Sequence, residues 1–419
     1  MKRIALLSLS ALSAIGAWAV ARFPKPDFTS GYKYPDIVHH IPNEQIWSWI
    51  DLLLMVIAMS VVAWAAHKKQ SRKAIFAVSV FSVAYFGFYR SGCVCSIGSL
   101  QNVILALADS SYQLPLVVLL LFLLPIVFTF LFGRVFCAGV CPLGALQELV
   151  NVRNIRISRP VTQALSFLPW IYLAFTMLYA ATRSQFLVCR LDPFVGIFRL
   201  GGDFGLICTG LVLLLISVFV GRPFCQYICP YGALLSIFGS ISLKKMDITN
   251  KTCINCALCH NSCPVDAIRP PHANKGVESR RSGTLRMLSY LLLLPLFTLS
   301  GAWVMTLCSD GLSRANKEVY LCDLLTRQEL NPDEDVPLEV VAFHEMGRKI
   351  EELDAEVTEI QGQFRFYSGL AGALIGFVLG FRLVRLSTKR SRQTYEIDHA
   401  ACVACGKCFD YCPQNKKKE

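Results

Sequence analysis

Charged residues are scarce in this chain, 17% of its 419 residues, against about 25% in an ordinary soluble domain. With 54% of residues apolar and a positive mean hydropathy, that shortage excludes a soluble globular composition and places the chain among membrane proteins. No Gly-x-Gly-x-x-Gly turn, phosphate loop or catalytic-triad pattern occurs, so a stand-alone enzyme acting on a bound small substrate has no support. Cysteine is abundant instead, with 18 residues. Most are grouped as C-x-x-C or C-x-x-x-C, the spacing of metal ligands and not of a disulfide scaffold.

Apolar runs long enough to cross about 30 Å of hydrocarbon lie near 4–21, 46–66, 74–89, 114–132, 164–182, 205–221, 285–305 and 366–386. The expected fold is therefore an all-α membrane protein of about eight transmembrane helices. The first run also reads as a signal peptide, since Lys2 and Arg3 precede it and Ala19-Val20-Ala21 closes it before Arg22. The start, 67–73, 133–163, 222–284 and the tail from 382 carry a large excess of Lys and Arg, whereas 22–45, 89–113, 183–204 and 306–365 together carry more acid than base. Cytoplasmic loops hold the basic excess. The net charge of +12 is thus a topological signal for a multi-pass protein of a bacterial-type cytoplasmic membrane, with the bilayer as its partner and no nucleic acid.

Residues 74–243 form a duplicated core. Gly133-Arg-Val-Phe-Cys137-Ala-Gly-Val-Cys141-Pro recurs as Gly221-Arg-Pro-Phe-Cys225-Gln-Tyr-Ile-Cys229-Pro. Parallel repeats place equivalent sites around one axis, so Cys137, Cys141, Cys225 and Cys229 are expected to converge at the cytoplasmic surface. Four thiolates there could hold a third iron–sulfur cluster or Cu(I), cycle as a dithiol and disulfide, or be structural. Arg134 and Arg222 precede each pair and would favour thiolate, or else anchor helix ends.

Segments 244–284 and 387–419 carry the strongest motifs. Cys253-x-x-Cys256-x-x-Cys259-x-x-x-Cys263-Pro264 and Cys402-x-x-Cys405-x-x-Cys408-x-x-x-Cys412-Pro413 match the bacterial ferredoxin run, whose fourth cysteine ligates the other cluster in two-cluster ferredoxins. The spacing predicts one [4Fe–4S] cluster on Cys253, Cys256, Cys259 and Cys412 and another on Cys402, Cys405, Cys408 and Cys263, in small ferredoxin-like cytoplasmic lobes. Each run holding its own fourth cysteine is the alternative. Zinc, and a haem on Cys256-Ala-Leu-Cys259-His260, are the competing readings of the same residues.

Two ferredoxin runs, two C-x-x-x-C-P motifs at helix ends and a basic cytoplasmic face resemble the NapH/NosR/CcoG polyferredoxin group over roughly 74–270 and the tail from 396. The resemblance implies single-electron transfer between a quinol or cytoplasmic donor and an envelope redox partner, as a non-catalytic subunit of a respiratory oxidoreductase system. It equally allows a CcoG-like copper-handling assembly factor; a redox-sensing regulator is a third reading. The outer flavin domain of NosR-like proteins has no counterpart here.

Several residues stand apart from these motifs. Residues 1–23 are the first helix or signal peptide, 24–73 an outer loop and second span, and 285–386 a transmembrane hairpin with an acidic insertion at 306–365. The stripe Ile350, Leu353, Val357, Ile360 and Phe364 in that insertion has helical spacing and suits a partner or the protein's own surface. Cys93, Cys95 and Cys189 at the outer ends of spans could form an outer redox or metal centre. Cys308 and Cys322 are expected to form a disulfide, and Cys208 to be a core residue. His39 and His40, near Trp47, Trp49 and Asp51, suit either a quinol site or an interfacial anchor.

Overall fold

A computed structural model describes residues 45–92, 94–201, 203–248, 253–271, 280–330, 336–387 and 392–416, and these are overwhelmingly helical. They fall into two compact units. Of the described residues the smaller holds only part of 320–357, and every candidate centre lies in the larger.

Among the described residues four helices are long and apolar enough to cross a membrane: Ile46–His67, Arg159–Ala181, Arg281–Leu307 and Ile350–Arg385. The run at 74–89 is helical throughout but changes from α (Arg72–Ser82) to π (Val83–Tyr89). Leu116–Phe132 has 17 residues, and Phe204–Phe219 has 16 and is set at 101° to the preceding Pro193–Arg199. The run at 4–21, like His39 and His40, lies outside the described residues. Two segments read as loops hold helices instead: Ser96–Ala108 within 89–113, and Leu187–Leu191 and Pro193–Arg199 within 183–204.

Helix starts follow local chemistry. Ser71 caps Arg72–Ser82 by accepting from the Ala74 N–H, and proline opens Pro142–Val150, Pro193–Arg199, Pro223–Tyr227 and Pro230–Ser240. Proline suits the first helical position because its φ is preset and its missing N–H is not needed there.

The long hairpin packs Arg280–Leu307 antiparallel to Ile350–Ser387 through glycine. A Cβ at Gly372 would stand 2.2 Å from the Gly301 O, and one at Gly376 would stand 2.0 Å from the Phe297 O. Small residues at four-residue spacing let membrane helices approach to backbone contact. G376L should therefore separate this hairpin, read as loss of a disulfide engineered between T298C and a cysteine facing it, while iron content stays unchanged.

The hairpin returns the chain to where it left. Ile268–Arg269 and Glu396–Ile397 form a two-stranded antiparallel sheet, Ile268 opposite Ile397 and Arg269 opposite Glu396, so the two ferredoxin segments meet. The helical stripe of the insertion continues without a break into the last span; Leu353, Val357 and Phe364 are buried by the chain itself. Cys308 and Cys322 are free thiols, which corrects the expected disulfide. The Cys322 sulfhydryl donates instead to Asp354 at 3.5 Å.

Candidate metal centres

In the paired ferredoxin segments the two loops share one backbone pattern. Asn255 and Ala257 have φ of 54° and 63°, and the corresponding Ala404 and Gly406 have 51° and 75°. Such left-handed residues between right-handed ones turn successive N–H groups toward an enclosed anion. Thiols of the two runs lie in one another's electrostatic field. Cys259 feels Cys253, Cys256 and Cys412; Cys402 feels Cys405 and Cys263, and Cys408 feels Cys405, Cys402, Cys263 and Cys259. Burial pushes the Cys263 thiol up to about 11 and Cys402 up to about 12, so ligation of iron there must release protons.

The four C-x-x-x-C-P thiols also converge. Cys137, Cys141, Cys225 and Cys229 line one pocket with Arg134, Ile97, Leu143, Phe224 and Tyr231. Cys141 and Cys229 occupy helix N-cap positions directly before proline, and the Cys229 sulfur accepts from the Gly232 N–H at 3.3 Å. A helix N-terminus favours negative charge. Three of these thiols are buried and Cys225 is partly so, and Val403, Ala404 and Cys405 of the second ferredoxin segment pack into the same core. Burial pushes the Cys225 thiol up to about 11, against the pull of Arg222. Arg134 reaches the Cys137 sulfur at 3.9 Å and the Ala400 O at 3.2 Å, and its Nε has no hydrogen-bond partner. A buried cation with an unused donor fits an anionic cluster in this pocket.

Glu148 ties the pocket to the second ferredoxin segment. Its Oε1 meets Arg72 at 2.5 Å and Lys407 at 2.7 Å, and its Oε2 meets Arg222 at 3.1 Å. Arg222, fully buried, also donates to the Cys137 and Ala138 carbonyls, and Arg72 donates to the Cys405 O at 2.9 Å. Burial raises the Glu148 carboxyl, but Arg222, Lys407 and Arg72 outweigh it and hold the group at about 2. Sequence reading passed over Glu148 and its neighbour Gln147, whose Nε2 lies 3.6 Å from the Cys225 sulfur. The available signal was that Glu148 is the lone acid in the basic loop 133–163.

Cys95 and Cys189 are brought together, while Cys93 lies outside the described residues. They are not remote from the four-thiol pocket, as an outer-end position would require. Ile97, two residues past Cys95, lines that pocket, and Tyr231 is coupled electrostatically to Cys137, Cys229, Cys141 and Cys95 together. The reason is that Ser96–Ala108 is a helix starting at Cys95 and packing into the core. Asp51 is engaged by Tyr85 at 3.0 Å and Arg90 at 2.9 Å. Cys208 is half-buried in Phe204–Phe219.

Among the described residues no three His, Cys, Asp or Glu side chains are close enough to share a single metal ion.

Residues 114–160 and 204–249, one stretch for each half of the duplication, match a 4Fe-4S binding domain family. An uncharacterised protein of Methanocaldococcus jannaschii is 30% identical over 190 residues, 43% of this chain and 77% of its own length. Regulatory protein NosR of Stutzerimonas stutzeri is 29% identical over 52% of this chain and 32% of its own. Ferredoxin-type protein NapH of Haemophilus influenzae is 28% identical over 35% of this chain and 53% of its own. The chain thus spans about a third of the first of these named relatives and half of the second. No solved structure matches it.

Proposed function

Because this chain belongs to the NapH/NosR-type family of membrane polyferredoxins, whose members are iron–sulfur electron-transfer proteins, we propose that it conducts single electrons along three [4Fe–4S] centres. One is held by Cys253, Cys256, Cys259 and Cys412, the next by Cys402, Cys405, Cys408 and Cys263, and the third by Cys137, Cys141, Cys225 and Cys229. The clusters supply the redox chemistry, and the protein sets their order, their electrostatic surroundings and partner access. Eight spans put the ferredoxin segments on the cytoplasmic side. A quinol or cytoplasmic reductant is the donor, and an envelope redox protein is the acceptor.

The observation that carries this reading is that the thiol sets lie in succession and share side chains. Cys259 lies in the field of Cys412 and Cys402 in that of Cys263, which supports the exchange of fourth ligands, and Arg134 and Glu148 span from the second ferredoxin segment to the four-thiol pocket. For the third centre, the family match covers the two repeats themselves, and the unused Arg134 donor suits an anionic thiolate-bound group.

The test is iron and acid-labile sulfide with EPR on anaerobically purified protein, wild type against a variant with Cys137, Cys141, Cys225 and Cys229 all changed to serine. The expected counts are about twelve irons in wild type and about eight in the variant. About eight in both would remove the third centre and favour copper or dithiol chemistry there; little iron in either would sink the reading altogether.

A further inference from the structure

Two thiols remain outside these centres, and the fold builds a site around them. Cys95 and Cys189 come from different halves of the duplicated core, yet a Cβ at Gly98 would meet the Cys189 sulfur at 3.5 Å and the Cys95 sulfur at 3.9 Å. Glycine leaves open the space both sulfurs border. Gln101, fully buried, donates from Nε2 to the Cys189 sulfur at 3.3 Å and accepts from the Val188 N–H at 2.7 Å. Both ends of that amide fix the segment carrying Cys189. Asp192, buried and capping Pro193–Arg199, is coupled electrostatically to both sulfurs. Cys189 is exposed and Cys95 lies behind it. An accessible sulfur backed by a second one has the arrangement that thiol–disulfide exchange requires.

We propose that Cys95 and Cys189 form a redox-active dithiol that reduces an exogenous disulfide and is recharged by the iron–sulfur centres of the same chain. Only the recharging rests on the electron-carrying function proposed above. The Cys189 thiolate attacks one sulfur of the substrate disulfide, expels the other as a thiolate and forms a mixed disulfide. Cys95 then attacks the Cys189 sulfur, releasing the second substrate thiolate and leaving a Cys95–Cys189 disulfide. Two electrons, delivered singly by reduced clusters, and two protons from solvent restore the dithiol. Tyr231 lines the four-thiol pocket and also lies in the field of Cys95. Burial of Cys95 and the Asp192 carboxylate facing both sulfurs disfavour thiolate, which makes the dithiol the stronger reductant, since strongly oxidising pairs are those whose reduced form is stabilised. Gln101 and Asp192 are positioning residues.

The experiment treats the full-length, cluster-bearing protein in detergent with an aromatic disulfide, Ellman's reagent, and maps cysteine peptides by mass spectrometry without reduction. Wild type should yield a linked Cys95–Cys189 peptide and no probe on Cys189. C95S and C95A should each keep the probe on Cys189. Probe retained on Cys189 in wild type as fully as in C95S overturns the pairing. In a second arm the clusters are reduced after disulfide formation and followed by EPR. The expected result is loss of two reduced-cluster electrons per disulfide reopened; reduced clusters beside a persistent disulfide overturn the recharging. Absence of iron would instead defeat the electron-carrying function, and the first arm, which needs none, would still decide the pair.

Discussion

Replacing Glu148 by glutamine should lower stability by about 3–5 kcal/mol, the usual result of stripping one partner from a buried ion pair. The effect is large because one carboxylate serves three cations, and Arg222 has no exposure to water. Without the negative charge, Arg222, Arg72 and Lys407 repel one another at the joint between the second ferredoxin segment and the four-thiol pocket. Thermal denaturation in detergent, followed by cluster absorbance, should show E148Q losing its clusters well below the wild-type temperature, with E148D intermediate. Equal melting of E148Q and wild type would show that the joint is held elsewhere. The sign with pH is fixed by the carboxyl being held down at about 2 from an ordinary 4.5. Its contribution is complete above 4.5 and is lost as pH falls through about 2, so the advantage over E148Q should vanish only at that acid extreme.

The second large effect is expected at Gly221. A Cβ there would stand 2.3 Å from the Pro264 O and 2.6 Å from the Pro264 Cβ, both in the first ferredoxin run. That backbone has no freedom to retreat. Asn154 accepts from the Gly221 N–H at 3.0 Å and donates to the Cys263 O at 2.7 Å, and Gln226 donates to the Pro264 O at 3.0 Å. G221A should therefore push Cys263-Pro264 off the core and lower iron by about four per chain, the content of one cluster. Gly133 occupies the same position in the first repeat, and nothing lies within 4 Å of its Cβ site, although its φ is 75°. With φ 75° and ψ −174°, Gly133 occupies a region essentially confined to glycine, so G133A should cost backbone strain of about 1–3 kcal/mol, with iron unchanged. Equal iron loss in both variants would show that the contact with Pro264 is not what holds the cluster.

Much of this arrangement was legible in the sequence, where one local pattern suffices. The repeat of Cys137-x-x-x-Cys141-Pro142 at Cys225-x-x-x-Cys229-Pro230 announced convergence of its thiols, because duplicated units carry their sites to equivalent places. The ferredoxin runs implied their own pairing across the hairpin. Glu148 was opaque because the duplication breaks there, with Ser236 at the equivalent position, and its role exists only once three distant cations are folded against it. Ser96–Ala108 was hidden for another reason. Thirteen residues are too few to span a bilayer, so hydropathy assigns them to a loop, and the closeness of Cys95 to the inner thiols disappears with them.

The strand pair joining Ile268 to Ile397 also bears on how the protein is made. Translation delivers Cys253, Cys256, Cys259 and Cys263 long before their counterparts at 402–412 leave the ribosome. If the fourth ligands are exchanged between the runs as proposed, neither cubane can be completed on a nascent chain, and iron loading becomes a late event that follows synthesis of the last hairpin. A chain stalled between 271 and 396 would hold three ligands of the first proposed site and only Cys263 of the second. Cluster content per inserted chain would then report completed synthesis, a proofreading step arising from strand order alone.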